Sequence, residues 1–178
     1  MTIPGRLRLV LLSTVTLMLA GTGCGYHTAG KAVRLPDSVH SIYVPMFVNN
    51  TQAFRVEQVL TSAVVQELRS RTNFQVLVKD ESAADATLRG TVLSVTTGAL
   101  TYDSQTGKVS SSLLTIGMKV SLVDKDGKVL WQNPSYWYSE QYELSEAASS
   151  FFEEESPAAL RIASDFAKRL VSNIVEAY

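Results

Sequence analysis

Cysteine is nearly missing from this chain: one, Cys24, occurs among 178 residues, and histidine is almost as scarce with two. A zinc site takes about four Cys, His or carboxylate ligands, so the usual zinc motifs are excluded, and no disulfide can form within the chain. An excess of charge of one sign is also lacking, since 16 Lys and Arg stand against 17 Asp and Glu for a formal net charge of −1. Dedicated nucleic-acid binders draw much of their affinity from cations that displace phosphate counterions, so nucleic acid is not an expected partner. The sequence contains no G-x-S-x-G elbow, no H-E-x-x-H and no glycine-rich phosphate loop after a strand. His27 and His40 fall on no common element, which leaves no assembled base for a Ser-His pair. No cofactor, no metal and no enzymatic activity are expected. What is present is apolar matter, with 46% hydrophobic, 8% aromatic and 19% charged residues and a mean hydropathy of +0.07. That composition excludes disorder, and the length suits one domain.

The first 23 residues read as an address. Arg6 and Arg8 form a short basic region at the head of an apolar run from Leu7 to Ala20, too short to span a bilayer, which needs ~20 residues. Gly21-Thr22-Gly23 then leads to Cys24. Leu19-Ala20-Gly21-Thr22-Gly23-Cys24 resembles the bacterial lipobox, in which signal peptidase II cuts before a diacylglyceryl-modified cysteine. The pattern usually has Leu three residues before the cysteine, where this chain has Gly21. A lone thiol in an oxidising compartment is a liability unless capped, and lipidation of Cys24 caps it. Several acyl chains, each buried CH₂ contributing ~0.8 kcal/mol, anchor stably where one chain does not. Gly25, rather than Asp, follows the cysteine, which points to the outer membrane. Processing removes two arginines and no acid, leaving 14 basic against 17 acidic side chains, a net charge of −3. The expected division is a signal peptide at 1–23, a lipidated tether at 24–36 and a single domain at 37–178.

Within the domain, Ser41 to Phe47 has strand composition, with Pro45 confining it to an edge or ending its pairing. Phe54 to Arg71 spaces Val56, Val59, Leu60, Ala63, Val64 and Leu68 as one helical face. Phe74 to Val78 is a short strand. Ala86 to Tyr102 is a longer one whose parity slips, suggesting a bulge near Gly90. Ser112 to Val123 alternates cleanly, and Asp124-Lys125-Asp126-Gly127-Lys128 turns it back as Val129 to Gln132. Pro134 to Glu155 follows no clear period. Ser156 and Pro157 open a final helix, whose stripe is Ala159, Ile162, Ala163, Phe166, Leu170 and Ile174. The expectation is an α+β two-layer sandwich in the order β-α-β-β-β-α, with two amphipathic helices covering one face of a four-stranded mixed sheet.

Three surface features invite a function. Glu153, Glu154 and Glu155 suit the positive end of the last helix dipole better than a cation site, because adjacent residues do not converge. Trp131, Tyr136, Trp137, Tyr138 and Tyr142 fit an interface and a core equally well. Residues 86–131 carry a charge of +2 and residues 132–178 one of −5. Arg89 and Lys119 are expected on the helix-free sheet face with Thr87, Thr91, Thr115 and Ser121, where they are candidates for anionic lipid phosphates.

Several stretches together resemble the LPS-assembly lipoprotein family (LptE). They are Cys24-Gly25-Tyr26-His27, the run from Ile42 to Thr51, Ala84-Asp85-Ala86-Thr87-Leu88-Arg89-Gly90, the hairpin from Leu122 to Trp131, and the closing helix. The resemblance implies attachment to the outer membrane's inner leaflet through acylated Cys24. It also implies a plug within the lipopolysaccharide translocon β-barrel (LptD-like), aiding its assembly and the delivery of lipopolysaccharide to the surface. Arg89 and Lys119 are then candidate lipopolysaccharide contacts. The run of strand, Asn-rich turn, helix and Ala-Asp-x-x-Leu-x-Gly also resembles lipoproteins that activate peptidoglycan synthases or build secretion pores, the competing reading.

Overall fold

The two stretches with helical spacing become α1 (Val56–Arg71) and α2 (Pro157–Val175) in the computed structural model, which describes residues 35–143 and 157–176. Cys24, the expected signal and nearly all of the tether lie outside the described residues, as do Ser156 and the three glutamates before it. α1 buries Val56, Leu60, Thr61, Val64, Val65 and Leu68, while Val59 and Ala63 of the expected stripe pack only at its flank. All six residues of the α2 stripe are buried, joined by Ala167 and Val171. Before α1, Arg55 takes a left-handed φ of 55°, rare for a residue with a side chain, and its guanidinium lies over the Phe54 ring at 5.3 Å.

Six strands form one mixed sheet: β1 (Ser41–Tyr43), β2 (Val48–Asn49), β3 (Gln75–Leu77), β4 (Ala86–Tyr102), β5 (Val109–Asp124) and β6 (Val129–Glu143). The order is β3-β1-β4-β5-β6, with β2 also pairing β4. β1 runs parallel to both β3 and β4, and β2 parallel to β4, whereas β4, β5 and β6 are antiparallel. The α+β class with two helices and a mixed sheet stands as expected; the count of four strands is corrected to six. One reason is Pro45. It has no N–H for the ladder, so the expected strand at Ser41 to Phe47 splits, and β1 ends its pairing while lying between two neighbours rather than at an edge. The other is β3, which joins the sheet through β1.

β6 also runs past its expected end at Gln132. Its register with β5 jumps from Asn133↔Val120 to Tyr136↔Met118, so Pro134 and Ser135 bulge out and pairing resumes. The bulge expected near Gly90 falls instead at Leu93, where the β4 register shifts between Val92 and Ser94. Gly90 has a different task. A Cβ there would stand 2.9 Å from carbons of the Phe47 ring, so only glycine lets that ring lie against the strand.

Both helices serve one face. Leu88 and Val92 of β4 and Leu114, Ile116, Met118, Val120 and Leu122 of β5 are buried in the core with the helical stripes. From β6, Tyr136 and Tyr138 meet Phe166 of α2 edge-on at 5.9 and 5.6 Å. Strands of 15 to 17 residues reach ~50–55 Å, whereas the 19 residues of α2 cover ~28 Å. From Thr96 onward both faces of β4 are therefore exposed.

Candidate functional site

The sheet face opposite the helices is the candidate site, and strand pairing determines who occupies it. Arg89 sits opposite Ser121 and Thr91 opposite Lys119, so alternation puts all four side chains on the uncovered face. Thr87 and Thr115 share that parity, and Thr115 Oγ1 lies 3.1 Å from Ser139 Oγ of β6. The grouping expected from sequence is thus assembled: two cations amid hydroxyls.

The two cations differ in their freedom. Arg89 is ion-paired with Glu81, whose Oε1 also accepts the Thr87 hydroxyl at 3.2 Å. Lys119 is exposed and makes no ion pair or hydrogen bond among the described residues. An exposed pair such as Arg89–Glu81 contributes only ~0–1 kcal/mol, so Glu81 offsets the arginine's charge without immobilising it. Lys119 is the uncommitted positive group of the face.

The aromatic segment divides between core and surface. Tyr136, Tyr138 and Tyr142 are buried, and Trp131 packs partly against the core. Trp137 points the other way and is 61% exposed. It lies opposite Gly117 of β5, where a Cβ would stand 2.9 Å from the indole and 2.5 Å from Ser94 Oγ. The indole Nε1 donates to Ser135 Oγ at 2.9 Å. Sequence reasoning left this division open. The period-two signal in Tyr136, Tyr138 and Tyr142 was available, but the Asn133-Pro134-Ser135 irregularity before it concealed the strand.

Other chemically suggestive groups have structural duties. Asp85 Oδ2 accepts from the His40 and Ser41 backbone N–H groups and from Ser41 Oγ, each at 2.9 Å. These donors, led by the His40 N–H, hold its carboxyl below the usual carboxylate range. The Asp85 carbonyl accepts the Lys125 N–H at 3.0 Å, so the Ala84-Asp85-Ala86 stretch ties the start of β1 to the β5–β6 turn. Burial pushes the Tyr136 and Tyr138 phenols upward, away from ionisation. A shallow groove of about 380 Å³ is lined by Arg71, Tyr136, Trp137, Lys168, Arg169, Ser172 and Asn173. Its cations are already matched: Arg71 by Glu176, Lys168 by Asp165 at 3.0 Å and Arg169 by Glu140 at 3.3 Å. Among the described residues no three His, Cys, Asp or Glu group as metal ligands, and no helix is long and apolar enough to cross a membrane.

A mixed sheet with both helices on one side and a hydroxyl-rich, cation-bearing face on the other defines a small two-layer α+β domain. The family model described as Lipopolysaccharide-assembly (LptE) matches residues 39–174, and the chain belongs to that family. Its role is therefore that of a lipoprotein of lipopolysaccharide assembly, in a family that is not enzymatic. No curated protein sequence matches it. Among solved structures, a protein from Xanthomonas campestris has a TM-score of 0.50 at 12% identity, covering 81% of this chain and 90% of that one. An uncharacterized lipoprotein B from Nitrosomonas europaea has a TM-score of 0.49 at 15% identity, covering 86% and 94%. The PelC dodecamer from Paraburkholderia phytofirmans has a TM-score of 0.47 at 15% identity, covering 83% and 93%. The first of these likenesses speaks for the fold alone.

Proposed function

We propose that this chain is an outer-membrane lipoprotein, anchored through acylated Cys24, that plugs the lipopolysaccharide translocon β-barrel (LptD-like). In that seat it supports assembly of the barrel and delivery of lipopolysaccharide to the cell surface. The observation that carries this reading is the family match across residues 39–174. The uncovered face adds physical support, because the lumen of a large barrel is polar and the hydroxyls of Thr87, Thr91, Thr115 and Ser121 suit it. The 1–23 signal peptide, 24–36 tether and 37–178 domain belong to the same reading. A tether of 13 residues reaches at most ~45 Å, which keeps the domain close to the periplasmic face of the membrane.

Lys119, with Arg89 beside it, meets anionic groups of lipopolysaccharide in this reading. Affinity purification of the full chain from detergent-solubilised outer membranes should recover a large β-barrel at near one-to-one stoichiometry. Recovery of a peptidoglycan synthase without a barrel would reject the proposal in favour of the adaptor role. Arg89→Glu combined with Lys119→Glu should weaken lipopolysaccharide binding, and unchanged affinity would dismiss this face.

A further inference from the structure

We infer that Trp137 is a stacking platform for the ring of a phosphorylated sugar, seated against Gly117 and flanked by Ser94, with Lys119 placed to take the phosphate. The inference rests on the proposal that this face meets lipopolysaccharide, and it names the residue that would read the saccharide.

Four observations carry it. First, Trp137 exposes 61% of its surface from a strand whose three tyrosines are buried. Second, its one polar atom is already satisfied, since Nε1 donates to Ser135 Oγ at 2.9 Å. The indole is therefore held in place, and what it offers a ligand is its apolar face. Third, Gly117 lies directly across the ladder, and a Cβ there would sit 2.9 Å from the six-membered ring of the indole. Any side chain at that position would lift the ring off the sheet. Fourth, on the sheet face the surroundings are polar, with one cation that makes no ion pair among the described residues. Ser94 Oγ lies beside Gly117, and Lys119 is two residues along β5 on the same face, ~7 Å away by strand geometry.

A pyranose has C–H faces that pack on an aromatic plane and hydroxyls at its rim, and a phosphate ester extends it by one group. Those features match an indole face, a nearby serine hydroxyl and an ammonium at that spacing. The groove on the helical side lacks this match, because its cations are paired. A protein partner would also use an exposed Trp, but it does not call for an unpaired amine beside the ring.

The test uses the full-length chain, carrying Trp131→Phe so that indole emission reports Trp137. It is titrated with purified lipopolysaccharide, with dephosphorylated lipopolysaccharide and with a free hexosamine phosphate. Lipopolysaccharide should quench the emission. In the chain with both tryptophans, Trp137→Ala should lower affinity roughly five- to tenfold with an unchanged melting temperature. Trp137→Phe should restore most of the loss, and Gly117→Ala should weaken binding although the indole remains. Dephosphorylated ligand should lose its dependence on Lys119 and keep its dependence on Trp137. Quenching by the free sugar phosphate would make that group sufficient, whereas quenching by lipopolysaccharide alone would assign the lipid-borne headgroup as the source. If Lys119→Glu weakens binding and Trp137→Ala does not, the platform is overturned and the wider face reading stands. If neither changes affinity, the face reading itself fails. If Trp137→Ala instead reduces recovery of the barrel with lipopolysaccharide affinity unchanged, the indole is a protein contact and the inference is refuted.

Discussion

Thr61→Val should destabilise the domain by a specific route. Where Pro45 breaks the first strand, the Phe47 N–H has no strand partner and donates instead to Thr61 Oγ1 at 3.0 Å. Both residues are buried, and the same hydroxyl donates to the Glu57 carbonyl. Valine keeps the shape of threonine but removes the acceptor. A buried amide left unpaired costs ~1–3 kcal/mol. The added methyl offsets part of this, by something under ~0.8 kcal/mol, so a net loss of ~1–2 kcal/mol is expected. For a domain of this size that lowers Tm by roughly 2–8 °C. The consequence should be local as well as global. Phe47 lies against Gly90, so loosening its backbone frees the ring that packs β2 to β4. Urea unfolding would give the stability change, and hydrogen exchange would report the Phe47 amide. Thr61→Ser keeps the oxygen and should keep that amide protected even while losing a buried methyl. A Thr61→Val protein of wild-type stability, with Phe47 still protected, would refute the reasoning.

Two further predictions concern a hydroxyl and a carboxylate. The Tyr138 hydroxyl is buried with no hydrogen-bond partner among the described residues, so Tyr138→Phe removes a group that is desolvated without compensation. Thermal melting should show equal or higher stability, and a clear loss would mean that the hydroxyl has a partner in solution. Asp85 has a folded pKa below its ordinary value, so its contribution is present above the unfolded value of ~3.9 and is lost as pH falls through the lowered one. Asp85→Asn should therefore lie below wild type at neutral pH, with the gap closing as the medium is made strongly acidic. A gap of constant size across that range would show that the carboxylate's charge is not what ties β1 to β4.

Much of the architecture was legible because periodicity is local. The bounds of β4 match those read from sequence, and every residue of the α2 stripe is buried. On α1 the burial differs at its margins, since Thr61 and Val65 are covered more fully than Val59 and Ala63. The candidate face was also legible, because Arg89 precedes the slip in β4 parity, Lys119 sits on a cleanly alternating strand, and the two strands form one antiparallel pair. β6 was lost beyond Gln132 because Pro134 and Ser135 shift its phase, and a two-residue period cannot be followed across a slip of unknown size.

The amino-acid sequence by itself determined the scarcity of chemistry, the two helical faces, the alternating strands and the family signature. Each of these is carried by residues close together in the chain. Tertiary structure alone decided that Asp85 grips Ser41 from 44 positions away, that Glu81 engages Arg89 and leaves Lys119 uncommitted, and that Trp137 rests over Gly117. Those outcomes depend on register between strands. Register is set by the combined burial of a whole face and by the bulges along it, so no single segment contains it.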